Sequence, residues 1–328
     1  MSSAPAALLS LLGVPRPAAA AYLARGPWLL ASWASAAALF ALTLAATRAV
    51  WPSVVAVLPG TWLGDLYLTT TAVNGGLQLV LNLLLLPVYI TGIADGWKAE
   101  RSRPWPWASS REAAAKFWAT TRRGAVLVTA NILVVSYVAL VGVAPVVRAL
   151  HAETSFAVAD LPSAYTTAAH IFFCLVVEDA MFYCSHRLLH TPYFYKRIHK
   201  MHHEYESVVG IASEHAHPIE FVVGNLGPVI VGPLLCNAHA STLLIFLALR
   251  IAVSVEEHSG LSLPFSPFRV TPWAALSAGH AWHHSHVVGV FASQFCYLDA
   301  LFGTDKAFLE SLELEDAKAK AACREKTA

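Results

Sequence analysis

The sequence predicts an all-α integral membrane protein with about four transmembrane helices, a re-entrant hydrophobic hairpin and a cytosolic, histidine-rich helical cap. Three observations support this fold class. Of the 328 residues, 56% are hydrophobic and only 13% are charged, which is about half the charged share usual in soluble domains. Several apolar stretches approach the roughly 20 residues needed to cross a bilayer. Eight of the 15 histidines lie in three short runs, "HRLLH", "HKMHH" and "HAWHH".

Four apolar stretches are long enough to span the bilayer, and they cover residues 27–50, 68–93, 124–148 and 164–184. Two further stretches, 219–236 and 241–255, are interrupted by Pro228, Pro233 and the turn "CNAHA". This pattern is typical either of a re-entrant hairpin or of two short spans.

Lysine and arginine predict the orientation of these spans. Seven of them lie in residues 94–123, whereas residues 51–66 hold none. Because cytosolic loops carry the excess of Lys and Arg, residues 94–123 are predicted to be cytosolic. The N-terminus is then cytosolic too, and the fourth span returns the chain to the cytosol just before His186. If the hairpin re-enters the membrane without crossing it, "HAWHH" lies on the cytosolic side together with the other two runs. If one of the four stretches were instead a buried helix outside the membrane, the predicted number of spans and the predicted orientation would both change.

The chain divides into four predicted regions. They are an N-terminal membrane region with a basic loop (1–123), two transmembrane helices (124–184), a histidine-rich domain (185–308) and a charged tail (309–328).

The first 20 residues lack the early Lys or Arg of a signal peptide, so we interpret them as retained. A net charge of +1 suggests no nucleic-acid partner. The five scattered cysteines predict neither a disulfide framework nor a thiolate zinc site.

The histidine runs are spaced for metal binding. In "HRLLH" the two histidines are four residues apart, so on a helix both imidazoles project from one face. The other two runs share the pattern H-x-x-H-H. The eight histidines are His186, His190, His199, His202, His203, His280, His283 and His284. They are too many for one tetrahedral zinc ion, which favours two metals. Imidazole suits iron, copper, zinc and nickel, so ligand type leaves the metal open.

Further candidates lie near the runs. His258, in "VEEHSG", follows the hydrophobic hairpin and is a candidate ninth ligand. A ligating histidine usually donates its second N–H to a carboxylate or a carbonyl. The candidates for such supporting roles are Asp179, His217, Glu220 and Asp299. Asp179 precedes His186 by seven residues, which is two turns along the same helix face; otherwise it is a charge reaching the membrane interface.

Three blocks of sequence carry a resemblance to a known family. "EDAMFYCSHRLLHTPYFYKRIHKMHHEYESVVGIASEHAHPIEF", "VEEHSGLSLPFSP" and "HAWHHSHVVGVFASQFCYLDALFGTDKAF" resemble the fatty acid hydroxylase/sterol desaturase superfamily over about residues 175–308. "IHKMHHE", "AHPIE" and "EEHSG" are most similar to C-4 methylsterol monooxygenases. The resemblance implies an integral membrane, non-haem di-iron oxygenase of the endoplasmic reticulum. Its two irons would be bound by the eight clustered histidines, with His258 as a ninth ligand.

The resemblance also implies a function. The enzyme would oxidise the C-4 methyl group of sterol precursors with O2 and electrons from NAD(P)H, supplied through cytochrome b5 and its reductase. Its partners would be the bilayer, a sterol and other enzymes of sterol C-4 demethylation. No GxGxxG motif is present, so a separate donor is implied, docking near Lys196, Arg197 and Lys200.

Two positions depart from the family's pattern. Ala281 stands where the subfamily has an Asp in its third run, which removes a supporting carboxylate. Ser254 stands where some superfamily members have another histidine, which would leave one iron with an open position.

Two alternative functions follow from the same residues. A sphingolipid or fatty-acyl hydroxylase, or a sterol C-5 desaturase, would use the same di-iron core with a different pocket. A zinc-loaded membrane hydrolase or transporter is the second, although the HExxH motif of zinc hydrolases is absent.

Overall fold

The computed structural model describes residues 22–23, 25–26, 28–101, 103–150, 152–274 and 277–327. Residues 1–21 lie outside the described part, and these include the first 20 residues that we interpreted as retained. We number the described helices in chain order as α1 Trp28–Val57, α2 Trp62–Thr91, α3 Pro106–Ser109, α4 Arg111–Ala149, α5 Ala164–Leu189, α6 Pro192–Arg197, α7 Pro218–Leu235, α8 Ala240–Glu257, α9 Ser277–His286, α10 Tyr297–Phe302 and α11 Lys306–Thr327. The described residues contain no β-strand, and only two isolated bridges occur among them. The predicted all-α fold is thus confirmed.

Five helices in the described part of the chain are long and apolar enough to cross a membrane, and these are α1, α2, α4, α5 and α7. The first four overlap the four predicted spans: α4 and α5 contain theirs, whereas α1 begins at residue 28 and α2 ends at residue 91, just inside the predicted limits. The hairpin forms as α7 and α8, but only α7 qualifies as a span, because α8 carries Arg250, Glu256 and Glu257. Large apolar side chains such as Leu42, Leu84 and Val126 are exposed on these helices, as expected for surfaces that contact lipid.

Local sequence explains where several helices begin and end. Ser163 caps α5 by accepting a hydrogen bond from the backbone N–H of Thr166 at 3.0 Å. Ser110 caps α4 in the same way through Ala113. Helix α2 ends at Gly92, which adopts a left-handed conformation with φ of 65° that favours glycine. Pro192 occupies the first turn of α6, where its missing N–H costs nothing.

Two helices contain a π-helical segment close to the histidine-rich end of the molecule. Helix α4 widens at Asn131–Val135 and α7 widens at Phe221–Leu226. The buried amide of Asn131 donates to the carbonyl of Ala216 at 2.8 Å, which ties α4 to the segment before α7. Such π-segments frequently occur at functional sites.

The helices pack so that one end of the bundle holds the histidines. Helix α8 packs mainly against α2, and α7 packs mainly against α5. An aromatic cluster closes the histidine-rich end, where Trp105, Tyr205 and Leu261 are buried together. The ring of Trp105 stacks on that of Trp107 at 5.2 Å. This cluster fixes the loops that follow α2 and α6 against the histidine-bearing segments.

Candidate metal centre

Four parts of the fold carry the nine predicted histidines. His186 lies in the last turn of α5, and His190 caps that helix. The second run lies on a 3-10 helix, His199–Glu204, where three residues make one turn. His258 caps the end of α8, and the third run lies on α9. Short connections between α5, α6 and the 3-10 helix bring the first two runs face to face.

The structure brings all nine histidines together in two adjacent groups. Group A consists of His186, His190, His199, His203 and His283. Group B consists of His202, His258, His280 and His284. Within each group one nitrogen of every ring lies within 4.8 Å of the others, and eight of the nine side chains are buried. The two groups adjoin each other, since the rings of His203 and His284 are 4.6 Å apart.

Backbone carbonyls fix the tautomer of five of these rings. The Nδ1 atoms of His186, His202, His258, His283 and His284 lie 2.5–3.2 Å from the carbonyls of Phe291, His215, Ser254, Gly289 and Tyr205, respectively. Because a carbonyl can only accept, Nδ1 carries the proton in each case and Nε2 presents a lone pair.

These lone pairs converge in a way that requires a cation. The Nε2 atoms of His202 and His258 face each other at 3.3 Å, although neither can donate to the other. In group A, the Nε2 atoms of His190 and His199 are 2.9 Å apart. The buried Nε2 atoms of His186, His283 and His284 have no hydrogen-bond partner at all. Unpaired buried acceptors are costly, so the donor set fits a metal ion in each group.

Burial also keeps the rings in the form that binds metal. It is the main cause that lowers the pKa of His190 to about 2, of His203 to about 3 and of His258 to about 4. The pKa values of His280 and His284 likewise lie well below the ordinary 6.5 because these rings are desolvated. Neutral imidazole is the ligating species, so the site is ready for metal at neutral pH.

The four predicted supporting residues differ in what they contact. Glu220 lies at the start of α7, and its Oε1 accepts from Nδ1 of His199 at 2.6 Å. His217 contacts no other histidine of the described set; its Nδ1 accepts from the N–H of Ile219, which caps the turn that carries Glu220. Glu220 thus supports group A directly, and His217 orients the helix start that carries it.

Asp179 and Asp299 instead bind loop backbone. Asp179 accepts from the amides of Gln294 and Phe295 through Oδ1 at 2.9 and 3.0 Å, and no hydrogen bond to a histidine is among its described contacts. Asp299 accepts from the amides of Phe291 and Ala292, both at 2.9 Å. The amide of Ala292 and the carbonyl of Phe291 belong to the same peptide group, and that carbonyl accepts from Nδ1 of His186. Asp299 therefore holds the peptide group that orients His186.

A strained loop supplies another carbonyl to the centre. Val287 and Val290 have φ values of 62° and 51°, which are unusual for β-branched residues. Between them, Gly289 has a φ of 60°, and a Cβ there would lie 2.2 Å from the carbonyl oxygen of Thr304. Only glycine therefore fits at a position whose carbonyl accepts from His283. Backbone strain of this kind is concentrated at functional sites.

A cavity adjoins both groups on the side of the membrane helices, and we call it the inner cavity. Histidines of both groups line it together with Ser213, Glu214, Asn74 and Asn225. It adjoins a second, mostly apolar cavity between α2, α4, α7 and α8. The residues that line both are Asn74, Phe221, Leu226, Val229 and Leu247.

A groove reaches the centre from the other side, and we call it the outer groove. Its lining includes Lys116, Arg123, Tyr195, Lys200, His203 and His284. The groove therefore reaches one histidine of each group. Lys116 and Arg123 are largely exposed there, and they form ion pairs with Glu206 and Glu204.

The sequence predicted the histidines that come together here but not most of their hydrogen-bond partners. Five of the nine rings are oriented by main-chain carbonyls, which no side-chain pattern reveals. Ala281, which stands where an Asp was expected, is buried, and the carbonyls of His215 and Tyr205 orient His202 and His284.

The fold and the centre together define a helical membrane protein with a buried, all-histidine centre whose two groups could each hold a metal ion. Comparison with known proteins is consistent with this class. The fatty acid hydroxylase family model matches residues 171–304. The chain belongs to that family.

Three relatives illustrate its range. The chain is 36% identical to methylsterol monooxygenase 2-1 of Arabidopsis thaliana, over 52% of this chain and 67% of the relative. It is 38% identical to methylsterol monooxygenase 1 of Gallus gallus, over 48% of this chain and 52% of the relative. It is 39% identical to a very-long-chain aldehyde decarbonylase of Oryza sativa subsp. indica, over 49% of this chain and 61% of the relative. The matched part thus spans between about half and two thirds of each relative's length. No solved structure matches the chain.

Proposed function

We propose that the protein is a membrane-bound di-iron monooxygenase that oxidises the C-4 methyl group of sterol precursors. In the first step one atom of O2 enters a C–H bond, and the other leaves as water after two electrons and two protons have been supplied. The irons, when bound, would supply the O2 chemistry that side chains cannot perform. Group A would bind one iron and group B the other. The relatives named methylsterol monooxygenases support the choice of substrate.

The observation that carries this proposal is the convergence of nine imidazoles in two adjacent groups, five of which line a cavity that continues into an apolar space. Group A offers five donors, which exceeds the four of a tetrahedral zinc site and suits iron better. Group B offers four, and Ser254 lines the inner cavity where another histidine could have stood. The open side of group B is therefore the side from which a substrate would approach.

The chain's own residues orient the centre and exclude water from it. Glu220 and the main-chain carbonyls accept the Nδ1 protons of six rings, so the Nε2 atoms of those six face their groups. The apolar side chains of Phe221, Leu226 and Val229 line the path from the membrane helices and favour a flat, apolar substrate.

We further infer that the histidine-rich end faces the cytosol and that the protein resides in the endoplasmic reticulum membrane as a multi-pass protein. The basic loop around Lys98 and Arg103 lies at this end, which agrees with the positive-inside rule.

Electrons would reach the centre from a separate donor, and cytochrome b5 with its reductase is the pair we propose. The outer groove carries three cations, Lys116, Arg123 and Lys200, beside the two anions Glu204 and Glu206, a net charge of +1, and it reaches His203 and His284. Lys196 and Arg197 are exposed nearby and extend the same surface. An acidic donor would be attracted to this surface and would dock beside both groups.

A second candidate activity follows from the relatives. The similarity to a very-long-chain aldehyde decarbonylase is as strong as that to the methylsterol monooxygenases. The same centre could therefore act on a long-chain aldehyde, and the test below includes that substrate.

The test uses the purified protein in nanodiscs, loaded with iron and supplied with cytochrome b5, its reductase and NADH, and it offers a 4-methyl sterol and a long-chain aldehyde in separate assays. We expect about two irons per chain and conversion of a 4-methyl sterol to its 4-hydroxymethyl product. His283→Ala should lose at least one iron and nearly all turnover. His286→Ala is the matched control, because this exposed residue lies on the same helix outside both groups and should change neither quantity.

Three outcomes would contradict the proposal. They are an active protein without iron, a His283→Ala variant that retains full iron and turnover, and turnover of a long-chain aldehyde with none of the sterol.

A further inference from the structure

Helix α2 carries a polar stripe through an otherwise apolar span. Thr71, Asn74, Gln78 and Asn82 follow one another at intervals of three or four residues, so they lie on one face of the helix. Polar groups are costly inside a membrane, and those that occur usually face the bundle interior and serve a function. Gln78 is buried within the bundle rather than exposed to lipid.

The two halves of this stripe differ in their hydrogen bonds. Gln78 bonds to Ser213 at 3.2 Å, and Asn82 bonds to the carbonyl of Gln78 at 2.8 Å, so the half nearest the histidines is satisfied within the protein. By contrast, the buried Oδ1 of Asn74 and the buried Oγ1 of Thr71 have no partner.

The lack of a partner at Thr71 is not a general property of threonines in α2. The preceding Thr69 and Thr70 both donate to carbonyls one turn back, at 2.7 and 2.6 Å. Thr71 and Asn74 both line the apolar cavity, and Asn74 also lines the inner cavity. The unpaired half of the stripe is therefore the half that faces the cavities.

Glu214 adds a third unpaired group from a different element. It ends the 3-10 turn Gly210–Glu214, is 6% exposed, and its Oε2 has no hydrogen-bond partner. It lines the inner cavity together with Asn74 and with histidines of both groups. An unpaired buried carboxyl oxygen is among the most costly features a protein retains, which points to a ligand that satisfies it.

We propose that Glu214 and Asn74 bind a hydroxyl group carried by the lipid substrate. Both unpaired atoms, Glu214 Oε2 and Asn74 Oδ1, are acceptors when the carboxyl is ionised, so the ligand must donate. An ester or ketone cannot donate, and a charged amine would be costly to bury in a cavity with so many apolar walls.

Burial raises the pKa of Glu214 to about 7, and a hydroxyl, which both donates and accepts, suits either protonation state. The inference rests on the proposed function and deepens it. In a 4-methyl sterol the hydroxyl on C-3 is on the carbon next to the one that bears the oxidised methyl group. A hydroxyl-binding pair must then line the same cavity as the metal centre, as Glu214 and Asn74 do.

The test measures equilibrium binding of two tritiated probes to the purified protein in nanodiscs, 4α-methylcholestanol and its 3-O-methyl ether. The ether keeps the shape but cannot donate a hydrogen bond. We expect the wild-type protein to bind the alcohol about tenfold more tightly, which corresponds to about 1.4 kcal/mol. Glu214→Leu should bind both probes about equally, and Asn74→Leu should reduce the preference.

Two further variants separate recognition from general damage. Glu214→Gln keeps an acceptor in the same position and should retain the preference for the alcohol. Thr69→Val removes a hydroxyl from the same helix that is already bonded to Asp65, and should leave the preference unchanged. Metal content, measured in parallel, should match the wild type in all four variants.

The outcomes distinguish this inference from the proposed function. A wild-type protein that oxidises the sterol but binds alcohol and ether equally would overturn the inference alone, as would a Glu214→Leu variant with an unchanged preference. A wild-type protein that neither binds nor oxidises the sterol alcohol would instead contradict the proposed function on which the inference depends.

Discussion

The contacts of single histidines determine how the centre is organised. His199 is the one ring whose Nδ1 is bonded to a carboxylate among the contacts described, through Glu220 at 2.6 Å with both side chains buried. A carboxylate in this position fixes the ring and raises the basicity of the ligating nitrogen. The negative charge of the Glu220 carboxylate is also balanced best when a cation is bound on the other side of the His199 ring.

Glu220→Ala should therefore weaken metal binding without removing a ligand. Loss of such a partner typically costs 10–100-fold in metal affinity, so we expect a fall of about that size. Glu220→Gln should have a smaller effect, because its carbonyl oxygen still accepts from Nδ1. The measurement is iron retained during dialysis against a graded chelator.

The control for this variant is Glu310→Ala, an exposed glutamate on α11. It should retain iron like the wild type. Equal retention by Glu220→Ala and Glu310→Ala would show that the carboxylate does not support the metal.

Spacing within the three runs predicted eight of the nine ligand candidates, and the position of His258 after the hairpin predicted the ninth, but neither predicted how the nine divide into two groups. The pairs four residues apart, such as His186 with His190 and His280 with His284, stay in one group. The remaining histidine of the second run, His202, joins group B instead of group A. This division depends on how α5, α8, α9 and the 3-10 helix meet, and that is a tertiary property no single run contains.

At the scale of elements, the apolar stretches predicted the long helices, while their irregularities were not predicted. Helix α4 runs unbroken from the basic loop into the membrane, because "REAAAKFWATTRR" is as compatible with a helix as the apolar residues after it. The π-segments and the 3-10 geometry of the second run depend on packing against other elements. The four predicted regions stay a prediction.

A buried ion pair links two of the histidine-bearing helices. Arg250 on α8 lies 3.0 Å from Glu178 on α5, and both side chains are almost fully buried. Arg250 also donates to Gln294 at 3.0 Å, in the loop whose backbone Asp179 binds. The pair therefore joins α5, α8 and the loop before α10.

Removal of one partner should destabilise the protein more than removal of both. Arg250→Leu leaves Glu178 buried without a counter-ion, at a cost of about 3–5 kcal/mol. In Glu178→Leu/Arg250→Leu neither charge remains, so this double variant should melt at a higher temperature than either single variant. Thermal unfolding of the protein in nanodiscs measures the difference. A double variant that melts below both single variants would mean that the pair is not the main interaction at this junction.

At the scale of the whole molecule, membrane helices support a centre that is largely buried and closely lined by imidazoles. Such a centre is stable in the absence of metal only while its rings are neutral. Burial lowers the pKa values of His190, His203 and His258 to between about 2 and 4 in the folded protein. The corresponding values in the unfolded chain are near 6.5.

The metal-free protein should therefore lose stability on mild acidification. Below pH 6.5 the unfolded chain takes up protons that the folded centre excludes until about pH 4 or lower, so the free energy of unfolding falls as the pH falls. Between pH 7 and 5.5 each such histidine should contribute a loss of about 1 kcal/mol. Melting temperatures of the metal-free protein at these two pH values test this. His286→Ala, which alters only an exposed ring, should show the same decrease as the wild type. A melting temperature that does not fall between pH 7 and 5.5 would mean that the buried rings are already protonated in the folded state, and a cationic centre could not bind two metal ions.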